Sequence, residues 1–157
     1  MIFINNIKAF GFHLIITMIS FIFLIVFVIT GPTLGIYTTN VISRIFFITF
    51  FLALYFYGGM LLDIKKDKRY DFFSGSIIAL IGLILFVYTF FKTGMNLNEI
   101  SEQLSRYWIV FNLYNCPFTV IYFLIDKVSY PILLLFKPIF PSLIMGCGMK
   151  YKRLKKK

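Results

Sequence analysis

The chain ends PILLLFKPIFPSLIMGCGMKYKRLKKK, from Pro131 to Lys157, an apolar stretch with three prolines and one lysine before a basic tail. Six of the last eight residues are Lys or Arg. This stretch could cross a membrane, enter it partway or lie on its surface. Because basic residues of short loops stay on the cytoplasmic side, its charges can decide between these arrangements and with them the architecture.

The composition is typical of a protein whose main solvent is lipid. Apolar residues make up 60% of the 157 and charged residues 14%, whereas soluble domains have about 45–50% and about 25%. A soluble fold could not cover this much apolar surface. The net charge of +10 comes from bases that flank apolar segments or form two short clusters. That pattern indicates membrane orientation, and we expect the lipid bilayer, not nucleic acid, as the partner.

Five segments are long enough to cross about 30 Å of hydrocarbon, which needs about 17 to 25 apolar residues. They are Leu14 to Thr30, Ile45 to Leu62, Phe72 to Phe91, Tyr107 to Ile125, and Val128 to Met149. The first four contain no charged residue, and the fifth contains Lys137. Since the longest hydrophilic stretch between them has 15 residues, we expect one membrane-embedded helical domain over residues 1–149 and a basic cytoplasmic tail over 150–157.

The distribution of Lys and Arg predicts four crossings, not five. The anchors of this topology are the bases of one loop and of the tail: Lys65, Lys66, Lys68, Arg69, Lys155, Lys156 and Lys157. Five crossings would put the loop and the tail on opposite sides, whereas four put both on the same side together with the N-terminus. We therefore predict an all-α, polytopic integral membrane bundle of four transmembrane helices plus one interrupted re-entrant or interfacial segment.

Either of the last two segments could be the one that does not cross. Residues 107–125 are interrupted by NLYNCP, and a break at that depth must be buried against other helices or line a cavity. Residues 128–149 end in a glycine-rich stop and a basic anchor, which favours their crossing. Lys137 would then lie near mid-span, at a cost of about 2.5–3.5 kcal/mol unless it finds a partner. That cost favours the alternative, in which the last segment lies on the cytoplasmic face and Lys137 meets headgroups.

Polar residues in the interrupted segments form the candidate site for a solute or a partner. They are Asn112, Asn115, Pro117 and Lys137, because broken apolar segments with polar groups often hold solutes in transporters. The same polar residues could instead join helices to one another. A separate stripe of small residues, Gly75, Ala79 and Gly82, is spaced for close helix packing within the bundle or with a partner.

The sequence shows no recognisable catalytic apparatus, and we expect no enzyme activity, cofactor or metal. His13 is the single histidine and is predicted to lie at the membrane interface, while Cys116 and Cys147 are predicted to be small buried side chains. Gly59, Asp63 and Asp67 have the spacing of the second half of the CDP-alcohol phosphotransferase motif. No Asp or Glu precedes Leu62 to supply the first half, so the sequence predicts a solvated, charged turn.

These observations favour a small non-enzymatic membrane protein that works through contacts, either as an accessory subunit or as an immunity-type protein. Its partner would be another membrane protein or a second copy of the chain. The alternative is a small oligomeric channel, holin-like pore or transporter. The frequent Phe, Ile, Lys, Asn and Tyr are typical of AT-rich coding sequence. They favour the cytoplasmic membrane of a low-GC bacterium, with both termini cytoplasmic, over an organelle.

Overall fold

The computed structural model describes residues 2–64, 68–95, 102–125 and 131–156. These residues form only helices and connecting turns, with no strand among them. The long helices are α1 (Ile2–Thr39), α2 (Val41–Leu61) and α3 (Ser76–Lys92). The shorter ones are α4 (Glu102–Ser105), α5 (Trp108–Tyr114), α6 (Cys116–Leu124), α7 (Pro131–Phe136) and α8 (Phe140–Lys155). Two 3-10 turns, Lys68–Tyr70 and Phe72–Gly75, lead into α3.

Within the described residues, three helical stretches are long and apolar enough to cross a membrane. They are Phe3–Thr33, Val41–Leu61 and Lys68–Lys92. The predicted all-α fold is therefore confirmed, and the first three predicted segments each overlap one of these stretches. The fourth crossing and the re-entrant segment stay predictions, because the last two predicted segments are each divided into two shorter helices.

Helix α1 is longer than the sequence predicted and is not straight. Its 38 residues would span about 57 Å, whereas the 21 residues of α2 span about 32 Å. The two helices nevertheless lie side by side at both ends. Asn5 near the start of α1 contacts Asp63 just after α2, and the single residue Asn40 connects the end of α1 to the start of α2. A straight α1 would be too long for both contacts. Pro32, inside α1, removes a backbone donor at the far end, where a bend is expected.

Phenylalanine rings pack the C-terminal half of α1 against the N-terminal half of α2. The rings of Phe27 and Phe47 lie 5.0 Å apart at an interplanar angle of 77°. Phe23 and Phe51 meet at 5.9 Å and 84°. Such edge-to-face pairs add about 0.5–1.5 kcal/mol each beyond the burial of their surface.

Helix α8 packs against α2 and the Phe72–Gly75 turn, and its glycines permit this close approach. A Cβ on Gly59 of α2 would overlap the carbonyl of Met145, and one on Gly148 of α8 would overlap the carbonyl of Phe56. The two helix backbones therefore touch, as small residues allow in membrane bundles. The predicted tail is part of this helix, because α8 continues through the basic residues to Lys155.

Candidate functional site

Lys137 lies inside the bundle and contacts polar and aromatic groups there. Its side chain is 1% exposed. Its Nζ donates to Oδ1 of Asn112 at 3.2 Å and to the hydroxyl of Thr119 at 3.3 Å. Nζ also lies 5.2 Å from the centre of the Tyr122 ring, at cation–π distance. The predicted alternative in which Lys137 reaches lipid headgroups is wrong for this structure, because a side chain so deeply buried does not extend to an interface.

The break between α5 and α6 brings Asn112 and Thr119 to the same ammonium group. Helix α5 ends at Tyr114, and the N–H of the capping residue Asn115 donates to the carbonyl of Phe111 at 3.0 Å. Pro117 occupies the first turn of α6, where a missing N–H costs nothing. Across the break, the Thr119 hydroxyl lies 3.3 Å from the carbonyl oxygen of Asn112. Asn112 and Thr119, seven positions apart in the chain, therefore face one cation from two helices.

The turn that carries Lys137 is fixed against α3. Lys137 lies between α7 and α8, and the next residue, Pro138, packs on Gly82 so closely that a Cβ there would overlap the proline ring. Gly82 is buried in the interior of α3, of which it is the seventh residue. The lysine is thus held at the depth of the middle of a helix that is long enough to cross a membrane.

The positive charge of Lys137 has no carboxylate partner whose position the structure describes. In the described parts of the chain the ion pairs are Lys8 with Asp63 and Arg153 with Asp71. A lone ammonium is expensive in an apolar interior, and even a hydrogen-bonded one favours a nearby anion. The cluster therefore combines a buried cation with neutral acceptors.

Asn115 and Cys116 bring two further functional groups to the bend. Asn115 is 0% exposed, and its Nδ2 donates to the carbonyl of Phe111 at 2.9 Å. Its Oδ1 has no hydrogen-bond partner among the described residues. Cys116 is a free thiol with 1% exposure, in agreement with its prediction as a small buried side chain. Cys147, by contrast, is exposed, so its predicted burial is wrong.

A cavity of about 260 Å³ lies beside the lysine cluster. Two partners of the cluster, Asn112 and Thr119, line it together with Cys116 and the apolar side chains of Phe21 and Leu24. The side-chain oxygen Oδ1 of Asn112 accepts a hydrogen bond from Lys137. The side-chain nitrogen Nδ2 of Asn112 is a donor, and it makes no hydrogen bond to any described residue. One wall of an otherwise largely apolar cavity therefore carries a polar group in contact with a buried cation.

A second polar cluster, the basic end, joins the first turns of α1 to the end of α2 and to α8. Asn5 exchanges two hydrogen bonds with the backbone of Asp63, at 2.8 and 3.2 Å. Lys152 donates to the carbonyl of Leu62 at 2.6 Å, and Arg153 binds both oxygens of the buried Asp71. The N-terminus, the charged turn and the C-terminal helix therefore meet at one end of the molecule.

Of the two aspartates that resembled half of a metal motif, Asp63 takes part in this network. Asp63 pairs with Lys8 at 2.7 Å, and Asp71 pairs with Arg153. Asp67 lies outside the described residues. Within the described part of the chain, no group of three or more His, Cys, Asp or Glu gathers in a way that could hold a metal ion.

The structure places the other predicted residues as follows. Gly75 packs against Ser142 and Gly82 against Pro138, both within this chain, while Ala79 is half-buried. Among the topology anchors, Lys68, Arg69, Lys155 and Lys156 are exposed. The remaining anchors, Lys65, Lys66 and Lys157, lie outside the described residues.

His13 is not interfacial as predicted. It is 0% exposed, and its Nδ1 lies 2.8 Å from the hydroxyl of Tyr55. The Tyr114 ring packs on it with centroids 4.6 Å apart. In the sequence His13 comes directly before the first apolar run, but α1 begins eleven residues before His13, at Ile2, so this position lies well inside the helix.

Sequence reasoning found Asn112 and Lys137 but missed Thr119 and Tyr122. A signal for both was present, because Asn112, Asn115, Thr119 and Tyr122 recur at spacings of three, four and three. That spacing places polar groups along one face of a helix. The pairing with Lys137 could not be read from the sequence, since it depends on how the α7–α8 turn packs against α3.

Fold and site together define a helical protein whose described residues include three helices long and apolar enough to span a membrane, with a buried lysine cluster among shorter helices. No protein-family model, curated protein or solved structure matches the chain.

Proposed function

We propose that this chain is a non-enzymatic integral membrane protein that works by contact with another membrane protein or with a second copy of itself. In this role it is an accessory subunit or an immunity-type protein of a bacterial cytoplasmic membrane. Its N-terminus, charged turn and C-terminal helix face the cytoplasm. The basic end supports this orientation, because it joins the two most basic parts of the chain, the charged turn and the end of α8, to the first turns of α1, and short basic segments stay inside.

The observation that carries the proposal is the contrast between the interior and the surface around the α1–α2 junction. The described polar clusters form contacts within the chain, whereas the junction presents large apolar side chains. Their exposed fractions are 70% for Val28, 72% for Ile29, 69% for Val41, 76% for Ile42 and 63% for Phe46. Such a surface offers packing to another membrane helix or to lipid and provides no reacting group.

Photo-crosslinking in cells that produce the protein tests this proposal. A benzoylphenylalanine at Ile42 should give one discrete protein adduct, and one at Ile84, which is 59% exposed on α3, should give none. Co-expression of two differently tagged copies separates self-association from a different partner. If both positions yield only lipid adducts, the junction is covered by lipid and the contact function is refuted.

A second candidate, a small oligomeric channel, holin-like pore or transporter, is supported by the polar face of residues 112–122 and by Lys137. Intramembrane ionisable residues often mark solute pathways. Because three long helices enclose little space, such a pathway would need several copies. Vesicles that contain the protein should then leak small ions, and Lys137→Met should change the ion selectivity. Equal leak from protein-containing and empty vesicles would exclude this candidate.

A further inference from the structure

We propose that the cavity beside Lys137 is a binding site for the anionic group of an amphiphile, a phosphate or a carboxylate carried on a hydrocarbon chain. Three observations support this inference: the lining of the cavity, the buried ammonium of Lys137 without a carboxylate partner among the described residues, and the amide donor of Asn112, which makes no bond within the described chain. It goes beyond the contact function proposed above and does not depend on it.

The charge argument concerns what completes the lysine cluster. Nζ of Lys137 carries three donors, of which two bind neutral oxygens at 3.2 and 3.3 Å. These distances are long for charge-assisted bonds, which are typically about 2.7–2.9 Å. A phosphate or carboxylate nearby would supply the counter-charge that a buried ammonium favours.

The donor argument concerns Asn112, which connects the cation to the cavity. Its Oδ1 faces Lys137, so its Nδ2 is a donor polarised by the positive charge. That nitrogen makes no bond within the described chain, and Asn112 lines the cavity. An anion in the cavity would accept a hydrogen bond from this amide. The Asn112 amide would then lie between the anion and Nζ of Lys137.

The shape argument favours an amphiphile over a bare ion. The cavity holds about 260 Å³, which is close to the lower end of small-molecule sites at about 300 Å³. Its polar residues are Ser105, Asn112, Cys116 and Thr119, and its apolar ones are Phe21, Leu24, Ile109 and Leu113. Ile109 is 63% exposed, so the cavity borders the apolar outer surface, from which a lipid could enter with its chain against the aliphatic wall.

Native mass spectrometry of the full-length protein in detergent tests this inference. The probes are dioctanoyl phosphatidylglycerol, dioctanoyl phosphatidylcholine and inorganic phosphate. We expect the anionic phosphatidylglycerol to bind at least tenfold more tightly than the zwitterionic phosphatidylcholine. Lys137→Met should weaken its binding at least tenfold. The matched control Lys155→Met removes the same charge from the exposed end of α8 and should change the affinity less than twofold.

A second variant keeps the test decisive if Lys137→Met fails to fold. Asn112→Asp places a carboxylate next to Nζ and so supplies the anion within the chain. We expect this variant to be at least as heat-stable as the wild type and to lose binding of phosphatidylglycerol. Retention of full binding by Asn112→Asp would overturn the inference.

The remaining outcomes identify the source of the anion or refute the site. If inorganic phosphate binds as tightly as phosphatidylglycerol and also requires Lys137, the anion site stands and its ligand is a soluble anion. If the wild type binds both lipids equally, or Lys137→Met binds as the wild type does, the site does not exist.

Discussion

Loss of the Arg153–Asp71 pair should release α8 from the basic end. Nε and Nη2 of Arg153 donate to the two carboxylate oxygens of Asp71 at 2.8 and 2.5 Å, and the Asp71 side chain is 2% exposed. Arg153→Met removes both donors and leaves a buried carboxylate, a change that costs about 3–5 kcal/mol. Because the Arg153 side chain is 17% exposed, water can partly replace it, and we expect about 3 kcal/mol.

Unfolding by sodium dodecyl sulfate in mixed micelles measures this loss. Trp108 is the single tryptophan, begins α5 and is 6% exposed against Phe86 of α3, so its fluorescence reports loss of the fold. The control is Lys8→Met, which removes an ion pair whose side chains are 46% and 50% exposed and should change stability little. The double variant Arg153→Met/Asp71→Asn should recover part of the loss. Equal stability of Arg153→Met and Lys8→Met would refute the reasoning.

Two further predictions concern helix contact and pH. Gly59→Ala should destabilise the protein by about 1–3 kcal/mol, because the new Cβ would overlap the backbone of Met145. The control Gly11→Ala, whose Cβ would have no atom within 4 Å, should be neutral or stabilising in the same unfolding assay. The hydrogen bond from Lys8, together with its charge, holds the pKa of Asp63 below its usual 3.8. Their pair therefore contributes a small stabilisation above pH 3.8 and loses it as the pH falls through the lowered pKa. The wild type should therefore melt slightly above Lys8→Met at pH 7 and at the same temperature at pH 2, and an excess that persists at pH 2 would contradict this.

The long helices could be predicted from the sequence because apolar run length reports directly on them. The residues at which these helices begin and end were predicted less accurately. The first run was expected to begin at Leu14, yet α1 begins at Ile2, because Asn5 and Lys8 find partners on the charged turn. Hydropathy treats such polar residues as the end of a span, whereas a tertiary partner allows the helix to continue.

The candidate site was only half predictable. Asn112 and Lys137 could be chosen because polar groups are rare in apolar segments, and the structure brings these two together. The position of the Lys137 side chain depends on Pro138 packing against Gly82, a contact between residues 56 positions apart. A local sequence pattern does not encode such a contact. The sequence alone therefore left two alternatives for Lys137, near mid-span or at the headgroups.

The central claim is that the protein spans a membrane with its basic end in the cytoplasm, and cysteine accessibility in intact cells tests it most directly. In a variant without Cys116 and Cys147, single cysteines replace Asn40 at the α1–α2 junction, Met95 after α3 and Lys156 after α8. An impermeant maleimide should label Asn40→Cys and Met95→Cys in intact cells, and Lys156→Cys only after permeabilisation. Labelling of Lys156→Cys in intact cells, or protection of Asn40→Cys and Met95→Cys there, would contradict the account.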